Sequence, residues 1–170
     1  NCGSSTYSTW IGSSFTTLIP NDNSDGAIAL TINSSTTCTT TTTGTSVGAT
    51  QTLAAQFLYG TADDDVWYKF TSTASSLDFS ISRGTMGDLV WELYNSSLVS
   101  LGVIDNYTTS PETASLTGST VGNVYYIRVY SYASTVASRG TFTICITTPT
   151  QPPSNDNASG AITLIVNNPY

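Results

Sequence analysis

The chain has 170 residues, of which 39% are apolar and only 9% charged, and its formal net charge is −7 at neutral pH. Nucleic-acid binding requires clustered Lys and Arg, so the composition argues against it and against binding to anionic membrane surfaces. No apolar run approaches the roughly 18 residues of a membrane span, so we expect no membrane insertion. The few basic residues are scattered along the chain: Lys69, Arg83, Arg128 and Arg139.

The first predicted elements flank a turn that is rich in Asn and Asp. A strand is predicted from Tyr7 to Phe15, and Pro20 closes that segment. Residues 21–26 are turn formers. Residues 27–32 then alternate apolar and polar side chains, which predicts a half-buried strand. Its apolar face consists of Ile28, Leu30 and Ile32.

The middle of the chain is predicted to contain a series of strands. Residues 34–46 are dominated by Thr, which favours extended backbone, so this segment is predicted to be an exposed strand or a stiff loop. In residues 63–70 one face is predicted to carry Val66, Tyr68 and Phe70, and the other Trp67 and Lys69. Further strands are predicted at Leu77–Ile81, Leu89–Tyr94, Leu98–Ile104, Ala114–Leu116, Val124–Tyr130 and Thr141–Ile146. Strands at this spacing, with no helical periodicity, predict an all-β fold, an antiparallel β-sandwich.

The C-terminal segment repeats the turn and strand described above. Residues 155–167 (NDNASGAITLIVN) align without a gap to residues 21–33 (NDNSDGAIALTIN). If Tyr170 were joined to Asn1, the alignment would continue. The two ends therefore look like two pieces of one small domain. Three arrangements would bring these pieces together: they could meet within one chain, they could meet between neighbouring chains head to tail, or the 170 residues could be part of a longer tandem array. We divide the chain into an N-terminal half-repeat (1–20), a complete domain (21–148), a Pro-rich linker (149–154) and a C-terminal strand that starts the next repeat (155–170).

Several motifs occur in a fixed order along the chain: NDN-x-x-GAI, VGAT, DDDVWYKF, ELY, VGNVYYIRVYSY and GTFTICI. In this order they resemble the β-sandwich repeats of secreted Bacteroidota surface proteins, which are relatives of the bacterial pre-peptidase C-terminal domain. The resemblance covers residues 21–148 in full and the two ends in part. It implies export, a jelly-roll or Ig-like sandwich, and use as a non-catalytic module in adhesins, enzymes and cell-surface fibres.

The cysteines, Cys2, Cys38 and Cys145, are odd in number and lack a metal-type spacing. One disulfide with a remaining thiol, a bridge between chains, and reduced buried cysteines are all compatible with this set. Relatives in the resembled family often carry a Cys directly after NDN and another shortly before DDD. This chain has Ser24 and Ala158 at the first place and no Cys at the second. The resemblance therefore implies that Cys38 and Cys145 have lost their usual partners, and it favours a bridge to another chain.

The acidic run Asp63, Asp64 and Asp65 is the main candidate for a metal site. Carboxylates bunched on a strand-entry loop repel one another unless a cation or a donor neutralises them, and Ca²⁺ takes oxygen ligands of this kind. The spacing is not that of an EF-hand, so hydrogen bonding in turns and caps is the competing interpretation. Four further residues are candidate additional ligands: Asp22, Asp25, Asp88 and Asp105.

Catalysis has less support in the sequence. The chain contains no His, and a nucleophilic Ser or Thr needs a base. Glycosidase chemistry needs two facing carboxylates, and nothing in the spacing of Glu92 and Glu112 aligns them. The chain is therefore predicted not to be an enzyme.

The aromatic residues Trp10, Trp67 and Trp91, together with the tyrosines, offer flat apolar faces on which a glycan could stack. Alternating strands more often place such side chains in the core. The phases of Trp67 and Trp91 in their strands nevertheless predict that one of them is exposed.

Two functions follow from these patterns. The first is a structural subunit or repeat of an extracellular filament, which assembles with itself head to tail by strand complementation. Its predicted interface residues are Cys2, Tyr7, Ile11, Ile162, Leu164 and Val166. The alternative is a non-catalytic adhesin module that binds a carbohydrate or a surface protein.

Overall fold

A computed structural model describes residues 19–56, 59–150 and 155–165. The predicted strand from Tyr7 to Phe15 lies outside these ranges. So do Trp10 and the predicted interface residues Cys2, Ile11 and Val166. Within the described ranges, no helix is long and apolar enough to cross a membrane.

The described part of the chain consists of short strands joined by turns and loops. The strands are β1 (Ile28–Ala29), β2 (Ile32–Asn33), β3 (Thr42–Thr45), β4 (Val66–Thr71), β5 (Ser76–Arg83), β6 (Leu89–Tyr94), β7 (Ser100–Asp105), β8 (Glu112–Thr117), β9 (Val124–Ser131) and β10 (Thr141–Thr147). The helical turns, all of the 3₁₀ type, are Ser24–Gly26, Val136–Ser138 and Ala158–Gly160.

The strands form two sheets, which confirms the predicted all-β sandwich. One sheet has the order β1-β4-β9-β6-β7, and the other has the order β2-β10-β5-β8, with β3 also paired to β10. The long strands pair antiparallel, as predicted. The sheets are nevertheless mixed, because β1 pairs parallel to β4 and β2 pairs parallel to β10.

The main core lies between the two sheets. Phe70 of β4 contacts Phe79 of β5 with ring centroids 5.5 Å apart, and Phe79 contacts Trp91 of β6 at 5.6 Å. Tyr68 meets Phe142 of β10 at 5.8 Å. The predicted inward face of β4 is confirmed, because its alternate residues all join this core. Each cross-sheet aromatic pair contributes about 0.5–1.5 kcal/mol beyond the area that it buries.

The outer face of the first sheet is buried as well. Trp67 of β4 points away from the main core, yet it is only 1% exposed, and its indole N–H donates to Thr52 Oγ1 at 2.9 Å. The loop that follows Thr52 covers this face. Trp91 is fully buried too. The prediction that one of these two tryptophans is exposed is therefore wrong, because a loop covers the outer face of the sheet and strand periodicity alone does not indicate such a cover.

The predicted strand 27–32 is divided between the two sheets. Its first half forms β1 on the edge of one sheet, and its end forms β2 on the edge of the other. Between them, the Leu30 N–H still donates to Lys69 O at 2.8 Å. The segment thus closes one edge of each sheet, which protects backbone groups that would otherwise lack partners.

The Thr-rich segment after β2 is held by a disulfide. Cys38 is bonded to Cys145 of β10. Asn33 fixes the same loop, because its side chain donates to Thr40 O and to Ile146 O, each at 2.9 Å. Of the arrangements left open by the sequence, the structure shows a disulfide within the chain, so the bridge from Cys38 or Cys145 to another chain that the resemblance favours is wrong. They bond to each other, since the loop brings Cys38 against β10, a pairing that the family pattern did not contain.

Candidate functional site

The turn that precedes β1 occurs twice with nearly the same geometry. In the first copy the Asn23 side-chain oxygen accepts a hydrogen bond from the Gly26 N–H at 3.1 Å. In the second copy Asn157 accepts from the Gly160 N–H at the same distance. The φ and ψ angles are −141° and 168° at Asn23 and −125° and 164° at Asn157. The sequence repeat is therefore a structural repeat at this turn.

The first copy is anchored in the body of the domain. Asn21, at the start of the turn, is 3% exposed, and its side-chain amide donates to Trp67 O at 3.1 Å. The Trp67 N–H in turn donates to Asn21 O at 2.8 Å. Leu30 and Ile32 pack against the main core. The turn and the two short strands after it are thus an integral part of the sandwich.

The second copy is exposed to solvent. Asn155, which corresponds to Asn21, is exposed. The predicted interface residues Ile162 and Leu164 are 68% and 85% exposed, and the neighbouring Ile165 is 88% exposed. Within the described ranges, the hydrogen bonds of this segment stay inside the turn itself. The segment therefore exposes Leu164, whose counterpart Leu30 packs against the main core of the first copy. Ile28, the counterpart of Ile162, is 40% exposed, so only part of the predicted apolar face of residues 27–32 is buried.

The acidic run does not converge on one point. Each of its carboxylates takes a different donor: Asp63 pairs with Arg139 at 2.9 Å, Asp64 accepts from the Ser131 N–H at 2.9 Å, and Asp65 pairs with Arg128 Nε at 2.6 Å. Burial raises the pKa of Asp64 and of Asp65, although these donors act in the opposite direction. These contacts agree with the competing interpretation, in which the three carboxylates accept hydrogen bonds from nearby turns and strands and do not share a metal ion. A calcium site at the run stays a prediction.

The other predicted ligands divide into two groups. Asp22 accepts from the N–H and the hydroxyl of Thr50, both at 2.7 Å, and Asp25 is exposed. Asp88 and Asp105, in contrast, come together with Glu112, so that one oxygen of each lies within 4.8 Å of the others. The sequence did not indicate Glu112 as a ligand, because local spacing carries no information on how β7 and β8 cross between sheets.

A buried charge network occupies the outer face of the first sheet. Arg128 of β9 is fully buried and lies between Asp65 at 2.6 Å and Glu92 at 3.3 Å. Its guanidinium is also within 5.7 Å of the Trp67 ring centroid and 5.1 Å of the Tyr130 ring centroid. The Tyr130 hydroxyl lies 2.8 Å from Glu92 Oε1. Each charged group of this network contacts an opposite charge or a hydrogen-bond donor within the domain, so we interpret the network as structural.

The two glutamates lie in separate surroundings. Glu92 belongs to the network around Arg128 in the first sheet. Glu112 starts β8 in the second sheet and lies beside Asp88 and Asp105. The structure therefore does not bring the two together as a facing pair.

These features define a two-sheet β-sandwich domain that is stapled by a disulfide and that carries an exposed second copy of its own first turn. No family model matches the chain, and no curated protein matches it either.

Three solved structures are similar to the chain at low identity. The pre-peptidase C-terminal domain of a collagenase from Bacillus anthracis is 17% identical with a TM-score of 0.46, over 71% of this chain and 93% of that one. PliG, a periplasmic inhibitor of g-type lysozyme from Aeromonas hydrophila, is 11% identical with a TM-score of 0.34, over 68% and 96%. The surface-associated copper-binding protein CorA of Methylomicrobium album BG8 is 12% identical with a TM-score of 0.33, over 71% and 98%. At these values no role is transferred from them to this chain.

Proposed function

We propose that the chain is a non-catalytic structural unit of an extracellular filament, joined head to tail through its C-terminal strand. Residues 155–167 of one unit would complete a sheet together with residues 1–20 of the next. The observation that supports this proposal is the exposed second copy of the turn. It has the local geometry of the first copy but not the surroundings that the first copy uses.

The side chains of the second copy suit such a role. Ile162 and Leu164 occupy the positions of Ile28 and Leu30 in the first copy. Burying an exposed Ile or Leu contributes roughly 1.5–3 kcal/mol. An added strand also supplies main-chain hydrogen bonds along its length, while its alternate side chains fill pockets. A strand docked in this way would therefore use the backbone pairing that holds β1 and β2, with Leu164 packed as Leu30 is.

The proposed contact joins two different segments of the chain, so it is heterologous. Such a contact gives a ring when the rotation between units closes and a filament when it does not, and we propose the filament. Cys38 and Cys145 bond to each other. Residues 155–170 contain no cysteine, so Cys2 has no second thiol at the junction with which to form a disulfide, and we propose that strand pairing alone holds the junction. Polymer that stays assembled under reducing conditions is therefore the expected result.

The alternative function, a glycan-binding or protein-binding module, has less support. Of the aromatic residues predicted to form its platform, Trp67 and Trp91 are buried, and Trp10 lies outside the described residues. The exposed tyrosines of the described residues are Tyr59, Tyr107 and Tyr132, at 39%, 72% and 42% exposure.

Electron microscopy of the full chain tests the proposal. We expect regular fibres that repeat at one subunit, and we expect a chain lacking residues 155–170 to remain a folded monomer. Leu164→Asp should also prevent assembly, because it places a charge in the docked strand. Val136→Asp is the matched control, since Val136 is a similarly exposed apolar residue (76%) on a different turn, Val136–Ser138. A truncated chain that still polymerises, or equal effects of the two Asp variants, would contradict the mechanism.

A further inference from the structure

Three carboxylates that are distant in the sequence converge where the chain crosses between the sheets. Asp88 directly precedes β6, and Asp105 ends β7, where it pairs with Val90 of β6. Glu112 starts β8 and pairs with Ile81 in the other sheet. One oxygen of each carboxylate lies within 4.8 Å of the others. The β7–β8 crossover thus connects acidic groups from both sheets.

Glu112 is the most buried member of the cluster, at 1% exposure. Its Oε1 accepts a hydrogen bond from the Asn106 N–H at 3.1 Å. Its Oε2 is buried and has no hydrogen-bond partner among the described residues, and the same holds for Asp88 Oδ1. A buried carboxylate oxygen without a partner bears its full desolvation cost. Because Oε1 is held by Asn106, Oε2 is the oxygen that remains to bind a ligand.

The negative charge of the cluster is not balanced by an ion pair. In the described part of the chain, no Lys or Arg lies within salt-bridge distance of these carboxylates. The guanidinium of Arg83 donates to Gly87 O at 2.9 Å and attracts Glu112 and Asp88 only from a distance. Burial, reinforced by the charges of Asp105 and Asp88, raises the pKa of Glu112 to about 7. The cluster therefore lacks positive charge.

We propose that Asp88, Asp105 and Glu112 bind a calcium ion at the β7–β8 crossover. Carboxylate oxygens select hard cations over zinc or copper. Ligand oxygens around one Ca²⁺, at Ca–O distances of about 2.4 Å, lie no more than about 4.8 Å apart, and these three oxygens meet that limit. Mg²⁺ demands near-ideal octahedral geometry and is usually bound by one or two carboxylates, so a set of three carboxylates suits Ca²⁺ better. Water would supply the remaining ligands, and the ion would link β6 and β7 to β8 of the opposite sheet.

Calorimetric titration of the full chain with CaCl₂, after treatment with a chelator and dialysis, tests the site. We expect heat with one-site stoichiometry and a higher melting temperature in Ca²⁺. Glu112→Gln keeps an acceptor for the Asn106 N–H but removes the charge, so the Ca²⁺ response should be lost. Without Ca²⁺ this variant should melt no lower than the wild type, because repulsion among the carboxylates is relieved. If Glu112 served only as a hydrogen-bond acceptor, Glu112→Gln would leave the Ca²⁺ response unchanged.

Two matched variants locate the site. Asp25→Asn removes one charge at an exposed residue outside the cluster, so it should leave the Ca²⁺ response unchanged. Asp63→Asn tests the acidic run, and it too should leave the response intact. The proposal is overturned if the wild type gives neither heat nor a shift in melting temperature. It is also overturned if the response survives in Glu112→Gln or disappears in Asp63→Asn. A stronger response to MgCl₂ than to CaCl₂ would overturn the choice of ion.

Discussion

At the scale of residues, Arg128 explains how charged groups are accommodated beneath a covering loop. It pairs with Asp65 and Glu92, and its guanidinium also donates to the Leu53 and Ala54 carbonyls of the loop. A buried ion pair adds little stability compared with apolar residues of the same shape. Removing one partner, however, leaves an uncompensated buried charge. We therefore interpret the network as a device that fixes the position of the covering loop. Its net contribution to the free energy of unfolding is small compared with that of apolar residues of the same shape.

Arg128→Gln tests this interpretation at a single residue. The variant leaves the Asp65 and Glu92 carboxylates buried without a cation, so we expect the free energy of unfolding to fall by about 3–5 kcal/mol. Urea denaturation followed by tryptophan fluorescence measures this loss. Arg83→Gln is the matched control, because Arg83 is only partly buried and donates to a single carbonyl. Similar losses in both variants would show that the network has no special role.

At the scale of elements, local pattern predicted the long strands well. β6 has the predicted bounds, because apolar and aromatic residues dominate its whole length. The segment 27–32 was predicted as one strand but is split between two sheets. Its alternation was correctly interpreted as extended backbone. Which sheet each half joins depends on parallel pairing with β4 and β10, and these long-range partners leave no trace in local periodicity.

The acidic residues show the same limit of local pattern, because their partners are distant in the sequence. Adjacent carboxylates in the run 63–65 suggested a shared ligand, but successive residues near a strand point in different directions and meet different donors. The sequence identifies Asp88 and Asp105 as candidate additional ligands, but its local spacing does not indicate the third member of their cluster, Glu112. A crossover between sheets brings it to them, and only the topology contains that information.

The disulfide between Cys38 and Cys145 gives a prediction at the level of elements. It closes a loop with a sequence separation of 107 residues and attaches the Thr-rich segment to β10. Cross-linking a loop of this length restricts the unfolded chain, so we expect Cys38→Ala/Cys145→Ala to lose about 4 kcal/mol of unfolding free energy. Urea denaturation measures this loss of unfolding free energy. Cys2→Ser is the control, and it should leave the unfolding free energy unchanged. Mass spectrometry of a non-reduced digest that found Cys2 bonded to Cys38 or Cys145 would contradict the pairing.

At the scale of the whole molecule, the two copies of the turn have different surroundings. The first copy provides β1 and β2, which close one edge of each sheet, and Asn21 ties it to β4. The second copy has the same turn, but the described part of the chain gives it no comparable contacts. The same local structure is thus integral in one place and peripheral in the other. The energetic consequence can be measured within a single chain.

Substituting the corresponding Asn of each copy makes that comparison. Asn21→Ala removes a buried side-chain hydrogen bond to Trp67 O, so the free energy of unfolding should fall by about 1–3 kcal/mol. Asn155→Ala removes an exposed side chain, so the unfolding of dilute monomer should not change. If the second copy docks on a neighbouring unit as the first docks on its own body, Asn155→Ala should instead weaken fibre formation, measured as a higher critical concentration. Equal destabilisation of the monomer by both variants would mean that the second copy also belongs to the folded body.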